Sequence, residues 1–145
     1  MNREDYDSDE ERIFATCLDN LLSHQVIDGW EKVEKANKIT VFDGVKFDSV
    51  VLRKEVYTPD FHVYLNACHP MFEEWLKTSP PWCFKPCRKG HPLSIVECKP
   101  TFDKYNMTRC FISKQKAIYS RHEIYISLVH PKVFKKNYLS YWGLI

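Results

Sequence analysis

The chain has 145 residues, 44% hydrophobic and 14% aromatic, with 21 basic and 19 acidic side chains and a formal net charge of +2. That is the size of one ordinary domain, long enough to bury a core unaided, and the near balance of charge gives no argument for nucleic acid or an anionic membrane as partner. The apolar runs are far short of a membrane span and the acidic, polar start does not read as a secretory signal, so a cytoplasmic protein without an integral membrane segment or a nucleic-acid partner is expected.

In chain order, residues 1–7 are charged and expected to be frayed. Ser8 to Glu11 is a capping box, and Ile13, Phe14, Cys17, Leu18, Leu21 and Leu22 form one face of an amphipathic helix ending near Ser23 to Gln25. Trp30 to Val33 and Lys38 to Phe42 read as extended, with Asp43-Gly44 as a hairpin signal. Val45 to Val56 continues as strand with a break at Asp48, and Pro59-Asp60 makes a turn. Phe61, Val63 and Leu65 then alternate on one strand face. Met71 to Lys77 fits a short helix or strand. Ser79 to His91 carries Pro80, Pro81, Pro86 and Gly90 and reads as a loop long enough for function. Pro92 to Glu97 fits a helical turn or a strand, while Arg109 to Ser113 and Glu123 to Val129 read as closing strands. The expectation is a single α+β domain over 1–145, an N-terminal helix followed by an antiparallel sheet of about four to five strands.

Ile124, Ile126 and Leu128 alternate with Glu123, Tyr125 and Ser127, the period of a strand with one buried face. Pro131 ends that strand and pushes His130 to an extended conformation. His130 on an exposed corner is therefore a candidate for chemistry near neutral pH, against the plainer reading of a surface turn histidine. Lys135, Lys136, Tyr138 and Tyr141 beyond it interleave basic and aromatic side chains that could touch RNA, but with the balanced net charge they read as a basic linker and a solvated tail whose aromatics pack on the body.

The six cysteines are expected to be reduced, and without a CxxC pair they do not read as a disulfide framework. Cys83, Cys87, His91 and Cys98 supply four zinc-type ligands, but with three, three and six residues between them they match no standard zinc unit. Packed thiols in a loop are the plainer reading. A cysteine nucleophile needs partial exposure and a positive neighbour; Cys110 follows Arg109 at the head of a predicted strand, and Cys83 and Cys87 lie near Lys85, Arg88 and Lys89, so each is a candidate without a local signature, against the plainer reading of a packing or surface thiol. No Gly-rich phosphate loop, GxSxG or HExxH occurs.

Four patches carry a likeness. They are LLSHQVIDGWEKV at Leu21 to Val33, DFHVYLNAC at Asp60 to Cys68, KGHPLSI at Lys89 to Ile95, and SLVHP at Ser127 to Pro131 followed by KNYLSYWGLI. In this order they resemble segments of the autophagy E2-like conjugating enzymes. The resemblance implies an E2-like core that takes a ubiquitin-like autophagy modifier from an E1-like activating enzyme as a cysteine thioester. It also implies transfer to a lysine of an acceptor protein, with no cofactor, in support of autophagosome formation. His130 carries over as a site residue. The family's catalytic cysteine follows His-Pro, and here that position is Lys132. The nucleophile is thus left open, with Cys110 or the loop cysteines nearest in character, and an inactive relative is an alternative. DGWEKVEKANKITVF at Asp28 to Phe42 is similar to the opening of START lipid-transfer domains, a second alternative beside a non-catalytic zinc or interaction module.

Overall fold

The computed structural model describes residues 8–77, 83–101 and 107–144; the expected fraying of residues 1–7 and the start of the Pro-rich loop lie outside them. The Ser8 hydroxyl accepts from the Glu11 N–H at 3.2 Å and opens α1 (Asp9–Ser23). Asp9, Glu10 and Glu11 occupy its first turn, where acidic groups suit the helix dipole. Phe14, Leu18 and Leu21 bury completely along one face, as their helical spacing requires. After α1 come β1 (Ile27–Lys32), β2 (Ile39–Phe42), β3 (Val45–Lys46), β4 (Val50–Leu52), β5 (Glu55–Tyr57) and β6 (Phe61–Leu65). Then follow α2 (Phe72–Lys77), β7 (Leu93–Cys98), α3 (Met107–His122), β8 (Ile126–Val129) and α4 (Pro131–Tyr141).

The architecture is α+β, a helix followed by a mixed sheet. Its main sheet has the order β1-β6-β7-β8, with β1, β6 and β7 antiparallel and β8 parallel to β7. An all-antiparallel sheet was the expectation, and the correction has one cause. Arg109 to Ser113 is not a strand but part of α3. Phe111 and Ile118, the buried apolar residues of this segment, stand two helical turns apart, a spacing that five residues of alternation cannot reveal. With α3 as a crossover, β8 returns parallel to β7.

Two further expectations change. Asp43-Gly44 is not a two-residue hairpin, since β2 pairs with β5 and β3 with β4. Gly44 is nonetheless required: its φ is +92°, and a Cβ there would stand 2.9 Å from the Leu52 carbonyl oxygen. The chain after Pro131 is a helix rather than a linker and tail. Pro131 is its first residue, the position where a missing N–H costs nothing. The break at Asp48 separates β3 from β4, as expected.

The sheet is covered on both faces. On one side Phe61, Val63, Leu65, Val96 and Val129 pack with Phe14, Leu18, Phe134 and Trp142. Phe14 meets Phe61, Phe84 and Phe134 edge-on at 5.4, 5.9 and 5.3 Å, the geometry aromatic quadrupoles favour. On the other side Ile95 and Ile126 pack with Phe111, Ile118 and Tyr57. Two-sided cover explains why Ser127 is buried, against the expectation of a polar outer face; its hydroxyl accepts from the Lys85 N–H at 2.8 Å.

Because Phe14 joins the helical and sheet layers at zero exposure, Phe14→Ala is expected to cost about 3–5 kcal/mol of unfolding free energy. Urea denaturation measures this, and a loss below about 1 kcal/mol would contradict the packing described.

Candidate active site

Three polar residues meet at the end of the sheet where β6 begins and β7 ends. Phe61 pairs with Val96 in the antiparallel register, so Asp60, one residue earlier, lies opposite Glu97, one residue later. The Asp60 N–H donates to the Val96 carbonyl at 3.1 Å and fixes the alignment. Lys99 follows Glu97 by two positions and shares its face of the strand. Its Nζ stands 3.2 Å from Glu97 Oε1. Pro59 precedes Asp60, and the Val33 N–H bonds the Asp60 carbonyl at 3.0 Å. β1, β6 and β7 thus hold the group from the backbone outward.

The partners of these residues are specific. Asp60 Oδ2 accepts from the Cys98 N–H at 2.7 Å. Glu97 hydrogen-bonds to Asp60 and accepts from the Tyr57 hydroxyl. Burial, and then the Glu97 charge, raise the Asp60 carboxyl to about 8. Burial likewise raises Glu97, opposed by its bonds to Tyr57 and Lys99. Two desolvated carboxylates in contact cannot both ionise cheaply, so they hold a proton between them.

The three open into a cavity of about 480 Å³, lined also by Asp9, Glu10 and Glu11 from the first turn of α1 and by Lys132. Glu11 is buried, with Lys32 Nζ 3.7 Å from its Oε1.

His130 belongs to this neighbourhood, though not as the exposed corner expected. It is 8% exposed. Its Nδ1 donates to the Lys99 carbonyl at 2.8 Å. The neighbouring Lys99 N–H donates to the Val129 carbonyl at 3.0 Å. His130 therefore holds the backbone of Lys99 in place.

The cysteine candidates are not gathered here. Cys110 is exposed on α3, on the helix rather than at the head of a strand. Cys83 and Cys87 are buried ahead of β7, and burial raises both thiols. Cys98 stands at the far end of β7, ~17 Å along the strand from Leu93 at ~3.3 Å per residue. His91 is exposed, its Nδ1 accepting from the Leu93 N–H at 3.3 Å. Cys83, Cys87, His91 and Cys98 therefore do not form one tetrahedral site. Among the described residues no group of three or more His, Cys, Asp or Glu side chains encloses a metal-sized position. Burial, then Asp60 and Glu97, raise the Cys98 thiol well above its ordinary value, the opposite of what a nucleophile needs.

Sequence reasoning missed Tyr57, Asp60, Glu97 and Lys99. The signal was present as Pro59-Asp60 leading into one strand and Glu97-x-Lys99 closing another. No family model matches the chain, and neither a search of curated proteins nor one of solved structures finds a match.

In the folded protein Asp60 keeps a proton that its unfolded counterpart releases near pH 4. Without divalent ions, stability is expected to fall as pH rises from about 4 towards the folded value of about 8. Asp60→Asn should flatten that slope. Urea titrations across this range test it, and parallel profiles for the two proteins would refute it.

Proposed function

We propose that this chain is a divalent-metal-dependent hydrolase of phosphodiester bonds in nucleic acid. One observation carries the reading: Asp60 opposite Glu97, with Lys99 two residues on, at the floor of an open cavity. The donors are hard oxygens, which select magnesium-like ions over zinc. Magnesium keeps several waters and needs only one or two carboxylates besides substrate phosphate, and Asp60 and Glu97 are two. The shared proton supports the fit, because the pair lacks the positive charge that would let both carboxylates ionise.

Asp60 and Glu97 would hold the ion. When bound, it would neutralise phosphate charge and lower the pKa of a bound water. The chain's own residues do the rest. Tyr57 and Lys99 fix the two oxygens of Glu97. The Cys98 N–H fixes one oxygen of Asp60. Lys99 presents an ammonium beside the carboxylates, where it orients an attacking water and meets charge developing on the phosphate. His130 keeps the Lys99 backbone still through the carbonyl.

A long polyanion as substrate is supported by charge placement. The net charge is only +2, yet Lys132, Lys135 and Lys136 are all exposed on α4, and a neighbouring cavity between α1 and α4 is lined by Arg12 and Lys135. A local basic stripe binds a phosphate backbone whatever the total charge.

A second reading is the E2-like transferase of the autophagy modifier system, with its E1-like, modifier and acceptor partners. It is supported by a strand that ends at His130-Pro131 and leads into a helix. It requires a thiolate, and Lys132 stands where the thiol is needed.

The experiment is cleavage of labelled DNA and RNA with Mg²⁺ and with EDTA. Cleavage is expected with Mg²⁺ only, with losses of about 10²–10⁴-fold in Asp60→Asn and Lys99→Ala. Mg²⁺ should also raise the Tm of the unaltered protein and not that of Asp60→Asn. No cleavage and no Mg²⁺-dependent shift in Tm would overturn the hydrolase. A reductant-sensitive adduct with an activated ubiquitin-like modifier would favour the transferase.

A further inference from the structure

We propose that Lys132 is the substrate-phosphate ligand of this site, and that Glu10 holds it at the cavity mouth until substrate arrives. This inference rests on the phosphodiester reading and specifies how that substrate is gripped. Lys99 and Lys132 are the two lysines lining the cavity, and they differ in kind. Lys99 lies deep, its side chain 19% exposed and its Nζ committed to Glu97 at 3.2 Å. Lys132 stands at the rim, its side chain 66% exposed and its Nζ 3.6 Å from Glu10 Oε1. An ion pair so open to water is weak and easily exchanged. Glu10, 14% exposed, sits with its carboxylate against the protein, so it is the fixed member and the lysine the mobile one.

The surroundings favour a phosphate over the carboxylate as final partner. Lys132 lies in the first turn of α4, whose N-cap His130 makes no side-chain capping bond. The positive end of that helix adds to the lysine's charge. Lys135 and Lys136 continue the stripe one turn further, on the same exposed face. The floor of the cavity is acidic, with Glu11, Asp60 and Glu97. A bare polyanion would be repelled there unless a rim cation met the phosphate beside the scissile one. The exchange is a change of partner without covalent chemistry: Lys132 leaves Glu10, binds a phosphate oxygen, and displaces a counterion from the nucleic acid.

The test uses the full chain and a short fluorescent DNA duplex. Anisotropy is followed against NaCl with Ca²⁺ present, and steady-state cleavage with Mg²⁺. Lys132→Ala is expected to raise KM and Kd about tenfold while kcat changes far less, and to reduce the slope of log K against log salt by about 0.9. Lys132→Arg should restore both. Glu10→Gln, which frees the lysine, should tighten binding. The proposal is overturned if Lys132→Ala lowers kcat at constant KM, or if it leaves KM and the salt slope unchanged while the unaltered protein cleaves. In those cases the hydrolase reading stands without it. Absence of both cleavage and binding by the unaltered protein would overturn the two together.

Discussion

The register of β6 on β7 is the constraint on which the rest depends. With Phe61 paired to Val96, the apolar positions of both strands reach the core under α1, and the positions beside them, Asp60 and Glu97, meet at the end of the sheet. A slip of one residue would turn Phe61, Val63 and Leu65 out of that core and separate the two carboxylates. The hydrophobic pattern that sets the register therefore also aligns the polar site. Aromatic packing around Phe14, Phe84 and Phe134 and the 4.3 Å stack of Trp75 on Trp142 reinforce it from outside the sheet.

Gathering Asp60 and Glu97 carries an electrostatic cost that the surroundings only partly offset. Tyr57, Lys99 and the Cys98 N–H each satisfy one carboxyl oxygen. The pair retains a proton even so, because one lysine cannot balance two buried negative charges. A purely structural ion pair at this position would be simpler as a single carboxylate with Lys99. The second carboxylate destabilises the fold unless something positive joins it, and that local conflict is the ground on which a function is proposed for this pair.

The same geometry bears on the two functional readings. His130 and Pro131 are joined to the carboxylate site through the Lys99 carbonyl, so the corner that invites an E2-like reading and the acidic cavity are one neighbourhood. Lys132 stands at the rim of that cavity. A lysine there is an obstacle to thioester chemistry and an asset to phosphate binding. The thiol of Cys98, the residue whose N–H bonds Asp60, is raised by burial and by the charges around it.

Local pattern by itself determined α1 with its Ser8 cap, the alternation of Phe61 to Leu65, the break at Asp48 and the end of β8 at Pro131. Each depends on neighbours within one or two turns of chain, where helix and strand periods and proline's missing N–H act directly. Arg109 to Ser113 was misread because five residues fit both periods, and only packing on Ile95 and Ile126 selects the helix. The segment after Pro131 was misread because its apolar residues gain from helix formation only by burying against α1. The site was least legible. Asp60 and Glu97 are separated by 36 residues, each reads alone as an ordinary charged residue at a strand end, and no local rule brings them together. Their proximity, and the burial that gives them a shared proton, come from the pairing of β6 with β7 and from the cover of Tyr57 and the first turn of α1. Tertiary structure alone decides these, because desolvation and charge contact are properties of the packed ensemble of elements and not of any one segment.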